Sequence, residues 1–400
     1  MSTNTIYHQL KAQLNRRLDR VINEVDERLR ALEGMPPTLW RNAYRCVLSQ
    51  VADVCWLVQH SPRVDAWRWQ GCRWSVVYAG SNYHMARLQN ILCPQAQSLS
   101  LSGRVSIWDL PAKATRWAGT AELVVCELNR RQPWRSTATY SFVMAPWVRL
   151  VLDVGRSREA IIGSMRRSMR KRLRKVMKSD LICRYSYDPA DFEVFYHSMF
   201  VPFVESRFQG DRAFSAPYDD LLAEFQRGGL IVVERDGEPV SGVICRQTRS
   251  TFYSVWGGVL NADYGLIRSG VQVARVWFGI SLAQQMGCRY YDFGWALASM
   301  QDGLLRFKLS WGMQIRSDYR LHENWIFLST SLPADLRRHL NDRQFLTKVD
   351  GRHYILFLSN PQDSQDSGFI AERLGTAQRY GLGGVLIVKR GCSEKRPARS

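Results

Sequence analysis

No apolar run in this chain reaches the roughly eighteen uninterrupted residues that a membrane-spanning helix needs, because the longest candidates are cut by Arg, Gln or Gly. Residues 1–34 are charged throughout and hold no apolar block, which speaks against a secretory leader. A soluble, cytoplasmic protein is therefore expected, with placement at the inner face of the membrane as the variant left open. The nine cysteines (46, 55, 72, 93, 126, 183, 245, 288 and 392) form no Cys-x-x-Cys pair. Neither a disulfide framework nor a structural zinc is expected, and most should be buried thiols. Also missing are a G-x-S-x-G nucleophile elbow, an H-E-x-x-H metal pair, a Walker loop and a G-x-G-x-x-G fingerprint. The seven histidines (8, 60, 84, 197, 322, 339 and 353) stand apart from one another, so no metal is expected. Acidic residues are scarce: 36 Asp and Glu face 55 Lys and Arg, for a formal charge of +19.

What is present is enough apolar material, 46% of 400 residues with 12% aromatic, for two compact units plus appendages. The location of the charge says more than its size. Residues 156–178 hold ten basic residues against the single acid Glu159. Ile162, Met165, Met169, Leu173 and Val176 recur at helical spacing, which sets an apolar seam against a dense cationic face. Like charges four residues apart, as Arg166 with Arg170 and Arg170 with Arg174, oppose helix formation, so the face points to a polyanionic partner. A phosphorylated cofactor, a nucleotide-linked sugar, RNA and an anionic membrane all satisfy it, and a merely solvated surface is the plainer alternative.

Five segments are expected. Residues 1–34 carry an amphipathic helix, with Ile6, Leu10, Leu14, Leu18, Val21, Val25, Leu29 and Leu32 on one stripe over 5–33; it packs on its own domain or pairs two chains into a homodimer. Residues 40–147 read as an irregular α/β domain rich in tryptophan, with strands near 54–58, 73–78 and 122–127 and no catalytic spacing. Residues 148–332 run as strand, basic helix, two helices (189–209 and 216–228), three antiparallel strands (230–234, 239–246 and 251–257), helix 268–286, strand 289–293, short helix 302–309 and strand 313–321. Asp236-Gly237 is a hairpin signal between the first two of the three strands. Residues 333–390 form a C-terminal α/β appendage, and 391–400 a disordered tail. The class is α+β, a mixed and mostly antiparallel sheet flanked by helices.

Over roughly 148–325 this order resembles the GNAT acyltransferase fold, and four local features resemble its Fem-like branch. They are the basic helix through Met169, Arg170, Lys171, Arg172, Leu173, Arg174 and Lys175; the segment 195–208 ending in Glu205, Ser206, Arg207 and Phe208; the strand Tyr291, Asp292, Phe293 and Gly294; and Arg306, Phe307 and Lys308 leading to Trp311 and Gly312. Fem-like proteins often duplicate the domain, so the resemblance also implies that the N-terminal domain is a degenerate GNAT-like copy. The family's usual pyrophosphate loop, Gln/Arg-x-x-Gly-x-Gly/Ala before the long helix, is altered here. Residues 263–270 offer Gly265 and Gly270 for backbone approach, Arg268 for a phosphate and Ser269 as a cap, but Val271 stands where a glycine belongs. A turn and cap with no ligand is the alternative for this loop.

The resemblance implies acyl transfer to an amine, with acetyl-CoA or another acyl-CoA as donor substrate, or an aminoacyl-tRNA as in part of the Fem-like branch. Such chemistry needs a neutral amine, N–H donors for the oxyanion and a proton route to the leaving group. Strand N–H groups near Trp256, Gly258 and Val259 are the candidate donors. Lys308 matches the lysine of the Fem-like Phe-Lys motif, which implies a role in stabilising negative charge beside Phe307; a surface lysine is the alternative. Asp292 would orient the amine or act as base, or else anchor a loop, and His322 with Glu323 forms a lesser acid–base pair. Arg207, Arg170 and Arg174 would bind phosphates of donor or acceptor. The expected acceptor is an anionic small molecule or an envelope or polysaccharide precursor. The competing class is a non-catalytic GNAT-fold module binding RNA, a nucleotide-sugar or a membrane surface.

Overall fold

The computed structural model describes residues 63–106, 109–129, 138–208, 216–316, 323–349, 352–359, 366–389 and 396–398. The expected helix over 5–33 with its dimer, the strand at 54–58, His322 and most of the tail lie outside the described residues, as do the side chains of Arg207 and Glu323. The described residues divide into two compact units, one made of those within Met1–Val148, Leu297–Leu305 and Ser317–Ser400, the other of those within Arg149–Ala296 and Arg306–Arg316. No helix among the described residues is long and apolar enough to cross a membrane.

The first unit opens with β1 (Arg63–Gln70), β2 (Val76–Gly80), α1 (Asn82–Leu92), β3 (Gln97–Ser106), α2 (Leu110–Ala118), β4 (Leu123–Asn129) and β5 (Tyr140–Met144). β2 and the first four residues of β4 are apolar without alternation, and Val76, Val77, Leu123 and Val124 are all fully buried. That is the pattern of strands covered on both faces, and the two pair in parallel with Val76 opposite Leu123. In β5 Tyr140, Phe142 and Met144 are buried while Ser141 and Val143 are half-buried, the period of a strand with one covered face. Cys72 and Cys93 are joined in a disulfide, a pairing that was not expected. Spacing in sequence did not suggest it, because the bond ties the turn after β1 to the end of α1.

The second unit holds β6 (Trp147–Asp153), α3 (Arg158–Ser164), α4 (Arg167–Val176), β7 (Ile182–Ser186), α5 (Pro189–Val194), a π-helical stretch (Phe195–Phe200), α6 (Val201–Phe208), α7 (Tyr218–Arg227), β8 (Gly229–Arg235), β9 (Glu238–Gln247), β10 (Thr251–Val259), α8 (Tyr264–Ser269), α9 (Val271–Gln285), β11 (Tyr290–Leu297), α10 (Gly303–Ser310) and β12 (Gln314–Arg316). Its seven strands lie in the order β12-β6-β11-β10-β9-β8-β7. β10 and β11 are parallel, joined through α9, and β7 to β10 form an antiparallel meander. The β8–β9 hairpin turns on Asp236 and Gly237 at φ 54° and 80°, the doubly left-handed turn that an Asp-Gly pair suits. This is the mixed α+β, mostly antiparallel architecture expected for the segment.

Two helices expected to be continuous are broken. The basic helix stops at Met165 and Arg166, both extended, where the Arg166 N–H donates to the Ser310 carbonyl at 2.9 Å. The helix over 268–286 is interrupted at Gly270, which adopts φ 107° and separates α8 from α9. α9 is the core helix of the unit, burying Val271, Val273, Ala274, Val276, Ile280 and Ala283.

The chain then returns to the first unit with β13 (Glu323–Ser329), α11 (Ala334–Arg343), β14 (Leu346–Val349), β15 (Arg352–Ser359), α12 (Asp366–Arg379), β16 (Val385–Lys389) and β17 (Arg396–Ala398). β13 inserts between β4 and β5 to complete a six-stranded sheet, and β14 to β17 form a separate sheet of four. Residues 323–332, expected to close the second domain, thus belong with the first unit. The segment 333–390 groups with it too, and three residues of the tail expected to be disordered form β17 on β16.

Candidate functional site

The parallel ladder between β10 and β11 runs for only three pairs and ends at Tyr253 opposite Asp292. Two local features turn the strands apart. β10 shifts register against β9 between Ser254 and Trp256, a bulge that redirects the strand. β11 bends at Gly294, whose φ of 67° suits a residue without a side chain.

Asp292 fixes that bend. Its Oδ1 accepts the Gly294 N–H at 2.8 Å, and its Oδ2 accepts Arg149 Nε at 2.5 Å. Both partners are almost fully buried, Asp292 at 1% exposure and Arg149 at 2%. With both oxygens engaged and the carboxylate buried, Asp292 anchors the turn, the loop-holding alternative of the sequence reading. The Arg149 guanidinium lies 5.5 Å from the centre of the Tyr253 ring, so the pair grips both strands where they separate.

Lys308, on α10, is also buried. Its Nζ donates to the Trp295 carbonyl at 2.7 Å and lies 5.1 Å from the Phe293 ring centre. This corrects the alternative of a surface lysine. Phe307 lies tilted against Phe293 and edge-on to Trp311, with ring centres 6.0 and 6.2 Å away. Asp292, Phe307 and Lys308, all nominated from the sequence, therefore meet along one stretch of β11.

The residues nominated on β10 are brought to the same opening but have packing duties. Trp256 is half-buried and meets Phe200 of the π-helical stretch edge to face, 5.7 Å between centres. A side chain at Gly258 would sit 2.5 Å from the Met199 backbone, so this glycine lets the π-helical stretch approach the strand. Arg275, which the sequence reading passed over, donates from Nη1 to the Gly242 and Gly258 carbonyls at 2.7 and 3.1 Å and to Ser241 Oγ at 3.1 Å. Its signal was available: Arg275 is the one charged residue in the otherwise apolar or neutral α9. Arg149 gave the same kind of signal inside an apolar strand.

The loop before α9 is largely filled by the protein itself. Asp263 Oδ1 caps the Gly265 N–H at 2.6 Å. Ser269 Oγ accepts Arg235 Nη2 at 2.7 Å and donates to the Leu266 carbonyl. A Cβ on Gly270 would lie 2.6 Å from Val176 of α4, so its missing side chain admits a neighbouring helix. Arg268 alone of the four is an exposed charge. Gly265 N–H, Ser269 Oγ and the space beside Gly270 are thus engaged by groups of the protein itself.

On α4, Arg170 folds back to donate to the Gly163 carbonyl at 3.1 Å and Arg174 to the Arg170 carbonyl at 3.5 Å. Three of the described thiols are held away from nucleophilic work. Burial pushes the Cys183 thiol up to about 11 and raises Cys126 and Cys245 further, so thiolate is scarce near neutrality. Among the described residues no group of three or more His, Cys, Asp or Glu is placed to hold a metal ion.

Comparison with known proteins gives one family match: residues 163–308 fit the family described as acetyltransferase (GNAT) domain. No curated protein matches the chain. Among solved structures, it is similar to FemX, at 13% identity over 64% of this chain and 81% of that one with a TM-score of 0.36. It is also similar to the C-terminal domain of a putative lysylphosphatidylglycerol synthetase from Agrobacterium fabrum, at 10% identity, 78% and 93% coverage and a TM-score of 0.31. A putative GNAT-family acetyltransferase from Novosphingobium aromaticivorans matches at 12% identity, 57% and 84% coverage and a TM-score of 0.26.

Proposed function

We propose, from the premise that residues 163–308 form a GNAT-superfamily acyltransferase domain, that the chain transfers an acyl group from an activated donor to an amine on an anionic small molecule or an envelope or polysaccharide precursor. The observation that carries this reading is the parting of β10 and β11 beyond the Tyr253–Asp292 pair. The ladder has no pair beyond that point, and backbone N–H groups at a strand edge opened in this way can receive an acyl carbonyl and stabilise its oxyanion. The amine attacks as the neutral base, a C–N bond forms, the acyl–sulfur or acyl–oxygen bond breaks, and the proton lost by the amine ends on the leaving group. Asp292 and Lys308 act as positioning residues: one holds the bend at Gly294, the other holds the carbonyl of Trp295.

An acyl-CoA is the donor the domain family ordinarily implies. A second reading, an aminoacyl ester of tRNA, is favoured by a specific observation, the engagement of Gly265, Ser269 and Gly270 by neighbouring protein groups. Thermal unfolding with acetyl-CoA, a longer acyl-CoA, free coenzyme A and bulk tRNA at two salt concentrations separates them. A thioester donor should raise Tm in a salt-tolerant way that Arg268→Glu removes, whereas a tRNA donor should stabilise only at low salt. Stabilisation by neither would overturn acyl transfer in favour of a non-catalytic binding module.

A further inference from the structure

The free face of α4 has no role in the gap between β10 and β11. Arg167, Lys171, Arg174, Lys175 and Lys178 fall within roughly 100° around the helix at its usual 100° per residue. With Ser168 they line one broad, open hollow on the surface. Across positions 160–182 the single acid is Asp180, in the turn after the helix. Among the described residues none of these five has a carboxylate partner. The opposite side is fixed in place, because Met169, Leu173 and Val176 are buried and Val176 abuts Gly270 at the start of α9. The cations are thus held outward by packing, against their mutual repulsion at four-residue spacing.

The turn that follows adds something a purely ionic surface would lack. Met177 is 55% exposed and Ile182 63%, large apolar side chains that the unit's own core does not use. We propose that α4 and the 177–182 turn form a docking surface for anionic phospholipid, with the cations on the headgroups and Met177 and Ile182 entering the headgroup–acyl boundary. Basic residues held at the surface of an acidic bilayer attract it electrostatically, and adjacent apolar side chains add burial that a polyphosphate cannot offer. RNA would satisfy the charges but gains little from Met177 or Ile182, and α4 presents no aromatic ring for base stacking. Since the apolar stripe of α4 is committed to the core, the helix lies against the membrane by its charged face. Docking needs neither acyl donor nor turnover, so it stands or falls separately from the transfer reaction.

Flotation of the full chain with vesicles of phosphatidylcholine alone, and of phosphatidylcholine mixed with phosphatidylglycerol, tests this directly. Binding is expected only to the mixed vesicles and should weaken with salt. Joint replacement Lys171→Gln, Lys175→Gln and Lys178→Gln should weaken it on the order of a hundredfold, about fivefold per charge, as ~1 kcal/mol per basic residue implies. Met177→Ser with Ile182→Ser should lower vesicle affinity about tenfold while leaving any binding of bulk tRNA unchanged. All five side chains are exposed, and an unchanged Tm for each variant confirms folding. No binding to the mixed vesicles, or no effect of the lysine replacements, overturns the proposal. Vesicle binding insensitive to the Met177 and Ile182 changes, together with tight tRNA binding, would overturn it in favour of an RNA surface.

Discussion

Two buried carboxylates, one in each unit, show how similar chemistry can serve different ends. In the first unit Glu127 is 1% exposed and its Oε2 accepts from the Tyr78 hydroxyl at 2.7 Å and from Ser81 N and Oγ, both at 2.9 Å. His84 Nδ1 lies 3.1 Å from its Oε1, and the Trp147 indole N–H donates to His84 Nε2 at 3.1 Å, which places the imidazole proton on Nδ1, facing the carboxylate. A side chain on Gly80 would strike Tyr78 and Glu127, so the surroundings are closed. In the second unit Asp292 is just as buried and just as well paired, but it sits where two parallel strands separate. A buried, hydrogen-bonded carboxylate therefore does not mark a site by itself. Its place relative to a break in the sheet does.

The largest expected effect breaks the likeness. Asp292→Ala leaves Arg149 buried without its carboxylate and should cost about 3–5 kcal/mol in denaturant unfolding, with loss of donor-induced stabilisation. Glu127→Gln, which keeps the volume and strands no full cation, should destabilise less and leave donor binding intact. If Glu127→Gln abolished donor binding as well, the distinction between the two carboxylates would collapse.

Acid should act on the first unit through a separate group. Burial, with Lys348 nearby, holds the His353 imidazole down at about 4. The folded form then binds this proton less readily than the unfolded chain, whose histidine titrates near 6.5, so the contribution is intact above pH 6.5 and is lost as pH falls toward 4. Up to about 3 kcal/mol should disappear across that window, and a pH series of Tm should show the loss flattened in His353→Gln. Smaller is Gly270→Ala, expected to cost roughly 1–3 kcal/mol because φ is left-handed and Val176 leaves little room; wild-type stability would show that α4 can give way. Smallest in stability but not in function is Lys308→Met. Unfolding should change by about 1 kcal/mol, while transfer should fall about tenfold or more as Trp295 and the end of β11 lose their hold. Equal rates would reduce Lys308 to a packing residue.

Much of the second unit is legible in the sequence because its signals are local. Asp236-Gly237 announces the hairpin, the apolar spacing announces α4, and Phe307-Lys308 beside Tyr291-Asp292-Phe293-Gly294 brings the right residues into one neighbourhood. What escaped depends on partners distant along the chain. β13 reads as a strand, but its periodicity cannot say which sheet it joins, and it pairs with β4 nearly two hundred residues earlier. The break at Arg166 comes from Ser310, and the pairing of Cys72 with Cys93 comes from how α1 folds back. Arg275 was visible as the lone charge of α9 and Arg149 as a charge inside the apolar run of β6, a pattern that forecasts a buried partner without naming it. Gly265 and Gly270 look like a phosphate loop because glycine serves tight turns and close approach equally well.

The central claim is that the opening between β10 and β11 receives the acyl group. Amide hydrogen exchange of the full chain, with and without each donor that stabilises it, tests this most directly. Protection confined to residues 254–259 and 293–297, and weakened in Lys308→Met, is the expected result. Protection elsewhere with none at these two strand ends would contradict the assignment.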